Sequence, residues 1–284
     1  MLEPLVDLSR VRVLVDDLDH PEGVAWGPDG CLYAGGEAGQ IYRLSLQGAV
    51  QEVATTGGYA LGLCLDAERN LYVCDSGCRA VMLVRPDGAV EVYADGCEAQ
   101  RMSTPNYPVF DAAGNLYVSD SGDWDGRNGV LWVIHPGGGA ELLRDDVSDF
   151  PNGLALSADG RWLYVVASQL PGVVRVELRN GISLGEPETV VELPGTVPDG
   201  LAFDVQGNLY ISCYQPNRIL RLAPDGALAT LVEDPQGIVL FAPTNLAFCG
   251  ADLHTLCVAN LAARHLVAVD LSVAGQPCEY PRVG

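Results

Sequence analysis

One short pattern occurs six times along the chain, and this repetition constrains the fold more than any other feature. Three copies consist of a proline, a polar residue, a glycine and a short apolar run, as in residues 151–156 and 198–203, and the other three keep part of this pattern. The second position of the pattern, the slot, holds Glu22, Leu61, Asn106, Asn152, Asp199 and Asn245 in the six copies. These slots are 39, 45, 46, 47 and 46 residues apart, which is typical of β-propeller blades of about 40–50 residues.

Three further segments follow each slot and indicate that the repeating unit is a four-stranded sheet. A turn precedes a run rich in β-branched and aromatic residues, such as residues 115–118, which is typical of a strand. A third apolar run follows, such as residues 130–134, and then a Gly-containing turn and a fourth run. These units predict an all-β fold, a six-bladed β-propeller with four-stranded blades that forms a single domain over residues 1–284. Residues 11–15 are predicted to complete the last blade, because a closed ring hides its edge strands.

Composition and charge exclude several classes of partner. The formal net charge is −21 and the sequence pI is about 4.3, so nucleic acids and anionic membrane surfaces would be repelled. No stretch approaches the roughly 20 apolar residues that span a bilayer, and the first residues lack the features of a signal peptide. The nine cysteines are spread over predicted strands, as in proteins of a reducing compartment. We therefore expect a cytoplasmic protein with a small-molecule substrate, as a monomer or small homo-oligomer.

The slot residues predict a central metal site. Each slot begins the innermost strand of a blade, so the slot side chains are expected to converge on one mouth of the central channel. Two carboxylates and three amides would contribute oxygen atoms there, with a formal charge of −2. This set favours Ca²⁺, which accepts irregular coordination by about six to eight oxygens, although other divalent cations are possible. A turn role is the alternative for any single Asn or Asp before Gly, but it does not explain Glu22.

The motifs around the slots resemble those of the senescence-marker-protein/gluconolactonase/luciferin-regenerating-enzyme family, over essentially the whole chain. The resemblance rests on Pro-Glu-Gly at 21–23, Pro-Asn at 105–106 with Asp-x-x-Gly-Asn-Leu-Tyr at 111–117, Pro-Asn-Gly-Leu-Ala at 151–155 and Pro-Asp-Gly-Leu-Ala at 198–202. It implies a six-bladed propeller with a catalytic divalent metal, usually calcium, that hydrolyses lactones, with relatives that hydrolyse organophosphates. The family's metal-ligand positions fall on Glu22, Asn152 and Asp199, with Asn106 as a further ligand or substrate contact.

The chain departs from this family's pattern beside the third slot. Members that act on sugar lactones commonly carry Arg two residues before the third-blade Asn and Asp directly after it, whereas this chain has Thr104 and Tyr107. We therefore expect a more apolar pocket and a less hydroxylated lactone or ester, unless Arg101 or Arg264 supplies the missing polar contact. The predicted substrate contacts are Tyr59, Met102, Asn106, Tyr107, Tyr214, Asn245 and His265.

The hypothesis for the reaction is metal-assisted hydrolysis. A cation at the slots would polarise the carbonyl oxygen of the lactone and orient the attacking water. Asp199 is the first candidate for the general base, and Asp120 is the second. The segment Asp123-Trp124-Asp125-Gly126 is predicted to be a loop that roofs the pocket. Two alternatives remain: phosphotriester hydrolysis at the same site, and a non-catalytic ligand-binding propeller with a structural metal.

Overall fold

Six separate four-stranded antiparallel sheets form the fold, as the repeat predicted. The computed structural model describes residues 3–179 and 181–283. Within these residues there are 24 strands and one short 3₁₀-helix, Leu8–Arg10. Each sheet is one blade of a six-bladed β-propeller. No helix in this part of the chain is long and apolar enough to cross a membrane.

The strands follow the order of the repeats. Blade 1 contains β2 (Val24–Trp26), β3 (Leu32–Gly35), β4 (Gln40–Leu44) and β5 (Val50–Thr55); blade 2 contains β6 (Ala60–Leu65), β7 (Leu71–Asp75), β8 (Ala80–Val84) and β9 (Val90–Ala94); blade 3 contains β10 (Pro105–Phe110), β11 (Leu116–Asp120), β12 (Val130–Ile134) and β13 (Ala140–Arg144). Blade 4 contains β14 (Pro151–Leu156), β15 (Trp162–Ala167), β16 (Gly172–Arg179) and β17 (Ile182–Glu192); blade 5 contains β18 (Val197–Phe203), β19 (Leu209–Gln215), β20 (Arg218–Leu222) and β21 (Leu228–Glu233); blade 6 contains β22 (Pro243–Cys249), β23 (Thr255–Asn260), β24 (Leu266–Asp270) and β1 (Arg12–Val15).

The N-terminal strand closes the ring. Strand β1 pairs with β24, with Arg12 opposite Ala268 and Val13 opposite Val267. The outer strand of blade 6 therefore comes from the other end of the chain. This pairing confirms the predicted closure by residues 11–15.

The hydrophobic core lies between blades. Six apolar clusters occur, and each combines side chains from two neighbouring blades. Leu131 of blade 3 packs in one cluster with Leu163 of blade 4, for example, and both are completely or almost completely buried. Since a single blade has no core of its own, each blade depends on its neighbours to remove its apolar faces from water.

Glycines directly after the slots allow the inner strands to pack closely around the channel. A Cβ atom added to Gly153 would lie 2.4 Å from the carbonyl oxygen of Asp199, and one added to Gly200 would lie 2.6 Å from that of Thr244. Any larger residue would therefore push neighbouring inner strands apart, which explains the glycine in four of the six copies. This close approach brings slot residues of adjacent blades together.

Hydroxyl groups join the inner strands at the slot end of the channel. The Ser168 hydroxyl donates to the carbonyl oxygen of Pro198 over 2.7 Å, and the Thr244 hydroxyl donates to that of Glu22 over 2.7 Å. These bonds run between blades and satisfy backbone carbonyls beside the bulges that interrupt the inner strand pairing. They hold the backbone of the slots in register from one blade to the next.

The C-terminal tail closes the other end of the channel. The Gln276 backbone N–H donates to the carbonyl oxygen of Phe203 (2.8 Å), and its side chain donates to that of Leu156 (3.1 Å). The Tyr280 hydroxyl donates to the carbonyl oxygen of Trp26 over 2.6 Å. These three acceptors are the last residues of their inner strands. A cavity of about 140 Å³ lies between the tail and the inner strands, so the floor of the channel is apolar and covered.

Candidate functional site

Four slot side chains meet at the open end of the channel. Glu22, Asn106, Asn152 and Asp199 begin or precede inner strands of four blades, and each is 4–6% exposed. Each also has one buried oxygen without a hydrogen-bonding partner among residues 3–179 and 181–283: Oε2 of Glu22 and Oδ1 of the other three. Within these ranges, Oδ1 of Asn245 and one carboxylate oxygen each of Asp75, Asp149 and Asp234 are unpartnered as well. Buried polar atoms are normally paired, because an unpaired one costs free energy. The first four atoms, the unpartnered oxygens, are the donor set that a hard divalent cation requires.

A hydrogen bond between two of these residues orients them. The Asn152 side-chain N–H donates to Oδ2 of Asp199 over 3.2 Å, and it also lies 3.4 Å from the Ser168 hydroxyl. The amide nitrogen of Asn152 and one oxygen of Asp199 are thereby used, and Oδ1 of each residue is left over. Ser168 was not among the predicted site residues. A hydroxyl residue at the end of a second strand is the signal that would have found it.

The electrostatics of the site also fit a cation. Burial raises the pKa of Asp199 to about 7, although the Asn152 and Asn245 amides oppose this shift. Burial, followed by the nearby charge of Asp199, raises the pKa of Glu22 well above its usual range. Two neighbouring carboxylates in a desolvated site disfavour each other's ionised form. A bound divalent cation would neutralise both charges, so the residues present fit such an ion.

Blade 6 differs from the predicted alignment by one residue. Blades 5 and 6 share the tripeptide Leu-Ala-Phe at 201–203 and 246–248, which pairs with the second strand in the same register in both. Asp199 lies two residues before this tripeptide, so the equivalent position in blade 6 is Thr244 and not Asn245. Asn245 is nevertheless completely buried, and its amide lies close enough to Asp199 to lower the pKa of that carboxyl. The predicted contact residue thus borders the site from the adjacent position.

Two tyrosines lie beside the acidic residues at the mouth. Burial raises the pKa of Tyr59, and the charges of Glu22 and Glu37 and the neighbouring Tyr214 add to the shift. The phenol of Tyr59 therefore lies within electrostatic range of Glu22 and of Tyr214. The contact of Tyr59 and Tyr214 with a substrate stays a prediction.

Met102 does not line the pocket, contrary to the prediction. Its side chain is completely buried in the apolar cluster between blades 2 and 3, together with Trp132. Its backbone N–H donates to the carbonyl oxygen of Asp95 over 2.9 Å. The repeat located Met102 near the slot end of the blade but could not tell that its side chain turns into the core.

Tyr107 lies in the channel, but it faces the floor as well as the slots. It is 9% exposed, belongs to the cluster between blades 3 and 4, and lines the 140 Å³ cavity above the tail. Burial raises its pKa, and the groups that add to this shift include Cys278 of the tail and Glu22 of the site. The ring of Tyr107 therefore lies between the two ends of the channel. Most of its surroundings are apolar core and floor, and not the mouth where a substrate would bind.

Asp120 accepts hydrogen bonds from the backbone just before the third slot. Its carboxylate accepts hydrogen bonds from the N–H groups of Ser103 (2.8 Å) and Thr104 (2.6 Å) and from the indole N–H of Trp132 (3.2 Å). These donors use both of its oxygens. Asp120 therefore holds the segment that leads into Asn106, which differs from the predicted role as a second candidate base.

Three other side chains that could have supplied polar contacts are used elsewhere. His265 lies 2.9 Å from the carbonyl oxygen of Val239 through Nε2, which ties it to the loop before blade 6. Arg101 is exposed and pairs with Asp95, and Arg264 is exposed and pairs with Asp17 over 2.9 Å. Because both arginines are already paired, the structure does not support either of them as the polar contact that Thr104 and Tyr107 fail to supply.

A charged cluster borders the mouth on blade 1. One ligand atom each from Asp19, His20 and Glu37 lies within 4.8 Å of the others, and Nδ1 of His20 is 3.2 Å from both carboxylates. Asp19 also accepts a hydrogen bond from the Gln40 side chain (3.0 Å). The cluster is partly exposed and stabilises the loop before Glu22, so hydrogen bonding within the loop accounts for it.

Known proteins are similar to this one over most of the chain. The sequence profile of the SMP-30/Gluconolactonase/LRE-like region matches residues 21–262. A gluconolactonase of Zymomonas mobilis is 27% identical over 274 residues, which covers 83% of this chain and 76% of that protein. A diisopropyl-fluorophosphatase of Loligo vulgaris is 25% identical and covers 78% of this chain and 81% of that protein.

Solved structures share the fold. The structure of a gluconolactonase of Xanthomonas campestris has a TM-score of 0.79 at 22% identity, with 95% of each chain covered. A calcium-binding regucalcin of Agrobacterium tumefaciens has a TM-score of 0.77 at 20% identity, with 95% of this chain and 97% of that chain covered. At these identities the likeness concerns the propeller alone. Since the profile match spans most of the sequence, the chain belongs to the SMP-30/gluconolactonase/LRE-like family.

Proposed function

We propose that the protein is a divalent-cation-dependent hydrolase of lactones or related carboxylic esters, with Ca²⁺ as its resident ion. The observation that carries the proposal is the group of four unpartnered oxygens on Glu22, Asn106, Asn152 and Asp199. Two of them belong to carboxylates and two to amides, a set that Ca²⁺ accepts more readily than Zn²⁺ does. Membership of the family and the gluconolactonase relatives support lactones as the substrate class.

The chemistry divides between the ion and the protein. When bound, the cation would supply Lewis-acid polarisation of the substrate carbonyl and stabilise negative charge that develops on its oxygen. Glu22, Asn106, Asn152 and Asp199 would hold the ion. Asp120 fixes the backbone before Asn106, and Ser168 together with Asp199 fixes the amide of Asn152. The protein thus orients the donor set before substrate arrives.

Asp199 is the proposed general base. Its Oδ2 accepts a hydrogen bond from Asn152, whereas no donor within the described residues reaches its Oδ1. A carboxylate in this position can receive the proton that the attacking water loses. Asp120 is a weaker choice, because backbone and indole N–H groups already occupy its oxygens.

The substrate is proposed to be less hydroxylated than a sugar lactone. Thr104 and Tyr107 stand where sugar-specific relatives have a cation and an anion, and both Arg101 and Arg264 are engaged in ion pairs. A site without such groups does not form the hydrogen bonds that would favour a sugar with its hydroxyls. We expect 4-alkyl γ-lactones or aromatic lactones to show higher kcat/KM than gluconolactone.

Two measurements test the proposal. Calcium binding is followed by calorimetry and by the rise in melting temperature, and hydrolysis is followed by proton release with gluconolactone, alkyl lactones and aryl esters. We expect calcium to be required and a lactone to be the best substrate. A folded protein that neither binds calcium nor hydrolyses any lactone would contradict the proposal.

Phosphotriester hydrolysis is the second candidate function. The similarity to the Loligo vulgaris diisopropyl-fluorophosphatase favours it, and the same oxygen donors would serve both reactions. Including a phosphotriester in the substrate panel separates the two activities. Calcium binding without turnover of any of these compounds would instead favour a ligand-binding propeller with a structural metal.

A further inference from the structure

Large apolar side chains project from the loops on the slot side of the ring. Trp124 is 47% exposed, Leu170 59%, Ile238 72% and Phe241 41%. They lie in the loops that join β11 to β12, β15 to β16 and β21 to β22. These loops open on the side of the slots, because each inner strand begins there. Such an exposed apolar group marks a ligand contact only where a second observation connects it to the polar site.

One of these side chains packs against a residue that lies just before the candidate metal site in the chain. The rings of Trp124 and Phe150 are in edge-to-face contact, with centroids 4.8 Å apart and an interplanar angle of 69°. Phe150 lies two residues before Asn152, and its carbonyl oxygen accepts a hydrogen bond from the Ser168 N–H over 3.2 Å. Two residues of extended chain span at most about 7 Å. The aromatic pair therefore lies within reach of a substituent on a substrate held at the slots.

The loop that carries Trp124 is held by hydrogen bonds. The Asp123 N–H donates to Oδ1 of Asn128 (2.9 Å), and the Asn128 side-chain N–H donates back to Asp123 (3.1 Å). The Gly126 N–H donates to the carbonyl oxygen of Asp123 over 3.0 Å. The turn that carries the indole is thus already ordered, so less loop entropy is lost when a ligand binds.

The mouth has two chemically different sides. Blades 3 and 4 contribute Trp124 and Phe150, whereas blade 1 contributes the carboxylates of Asp19 and Glu37 beside His20. An anionic substituent would be repelled by this acidic side. A neutral apolar substituent would instead be stabilised on the side of blades 3 and 4.

The geometry points to an apolar subsite, formed by Trp124 and Phe150, that binds the alkyl or aryl substituent of the lactone or ester. This inference rests on the proposed function, and it deepens it by naming the side chains that select the substrate. Its occupant is an uncharged lactone with a substituent of about four or more carbons, a length comparable to the distance of at most about 7 Å between the backbones of Asn152 and Phe150.

The test compares γ-butyrolactone with its 4-butyl derivative at fixed calcium. A fully buried methylene contributes about fourfold in kcat/KM, and one that contacts protein on one side about twofold. We therefore expect the wild-type protein to prefer the butyl derivative by roughly 15-fold. In Trp124→Ala this preference should fall to about threefold or less. Phe150→Asn should reduce it as well.

Phe150→Asn is chosen because it preserves the local backbone. Phe150 has a φ of 57°, in the left-handed region that Asn adopts more easily than most residues. The variant therefore removes the ring without adding backbone strain. Phe241→Ala is the matched control, since Phe241 is a similarly exposed aromatic residue on the loop before blade 6. The control should keep the wild-type preference.

Three results would overturn the subsite. They are an unchanged preference in both Trp124→Ala and Phe150→Asn, an equal loss in Phe241→Ala, or binding of neutral phosphatidylcholine vesicles that needs Trp124 while the lactone preference does not. If the wild-type protein hydrolyses no lactone, the proposed function fails, and the corresponding γ-lactams then test the subsite alone. The 4-butyl lactam should raise the melting temperature more than the parent lactam, and Trp124→Ala should remove this difference. Equal shifts with both lactams would refute the subsite.

Discussion

Two aspartates at opposite ends of one inner strand show how differently this fold uses buried carboxylates. Asp199 stands at the slot end of β18 and Asp204 directly follows its other end; they are 6% and 1% exposed. Asp204 accepts hydrogen bonds from the N–H groups of Gln206 and Asn208, from the Asn208 side chain and from the Tyr210 hydroxyl. No donor within the described residues reaches Oδ1 of Asp199. Burial alone therefore does not distinguish the two carboxylates, whereas the unpartnered oxygen of Asp199 and its place among the slot residues do.

The partnered carboxylate also repeats around the ring. Asp66 and Asp111 make the same bonds to an Asn four residues later and a Tyr six residues later. The Asp-x-x-Gly-Asn-Leu-Tyr motif is thus a turn that stabilises the blade, although it helped to indicate the family. The slot residues are the proposed site of the chemistry, because one oxygen of each of Glu22, Asn106, Asn152 and Asp199 has no hydrogen-bonding partner among the described residues.

The largest expected effect is the loss of turnover in Asp199→Asn. We expect lactone hydrolysis to fall by about 10²–10⁴-fold, since the variant lacks the general base and one charge of the cation site. Asp204→Asn in the same blade is the matched control and should retain turnover. Circular dichroism confirms folding, and proton release measures kcat/KM. Similar activity of the two variants would remove the functional distinction between the two ends of β18.

In calcium-free protein, the raised pKa of Asp199 should make the stability depend on pH. An unfolded Asp titrates near pH 4, whereas burial raises the pKa of Asp199 to about 7 in the folded protein. The folded state therefore favours the protonated acid, and this stabilisation is complete below about pH 4 and is lost as pH rises through about 7. We expect the melting temperature in chelator to fall over this range, and to fall less in Asp199→Asn. Parallel profiles would contradict the assignment.

Calcium should offset this loss at neutral pH. A ligand that binds only the folded state at 100 times its Kd stabilises that state by about 2.7 kcal/mol. Addition of calcium to chelated protein should therefore raise the melting temperature, and Glu22→Gln should reduce the rise. Differential scanning fluorimetry with and without calcium provides the measurement. An equal rise in wild type and Glu22→Gln would place the ion elsewhere.

Asp204→Asn should lower stability while leaving the reaction intact. Replacing one carboxylate oxygen by an amide group leaves buried donors such as the Tyr210 hydroxyl without an acceptor, at a cost of about 2 kcal/mol. The free energy of unfolding in urea checks this value. Asp199→Asn in chelator should show no such loss. If Asp204→Asn were as stable as wild type, the turn bonds would not stabilise the blade.

The smallest expected effect concerns the floor of the channel. Tyr280→Phe removes the hydrogen bond from the tail to Trp26 and should lower the free energy of unfolding by about 1 kcal/mol. Because the floor lies at the far end of the inner strands, kcat/KM should stay within about twofold of wild type, a change of less than 0.5 kcal/mol by the tenfold-per-1.36-kcal/mol relation. A large loss of turnover without loss of stability would show that the tail acts on the mouth.

The sequence by itself determined the number of blades, the ring closure by residues 11–15 and the slot positions of Glu22, Asn106, Asn152 and Asp199, each with an unpartnered oxygen. These features follow from a local repeat, since strand alternation and turn residues recur with a fixed period. A polar residue kept at one position of such a repeat must return to the same level of the channel. The wrong alignment of Asn245 was avoidable, because the Leu-Ala-Phe tripeptides of blades 5 and 6 show the one-residue offset.

Only the tertiary structure decided which side chains turn toward the site. Met102 packs in the core between blades, Asp120 accepts hydrogen bonds from the backbone, and the ring of Trp124 contacts that of Phe150 from a neighbouring blade. Each outcome depends on contacts between segments from different parts of a blade or from different blades. Periodicity specifies the level of a residue in its blade but not its rotamer or its partner, and hydrogen bonding and packing across the blade interfaces select both.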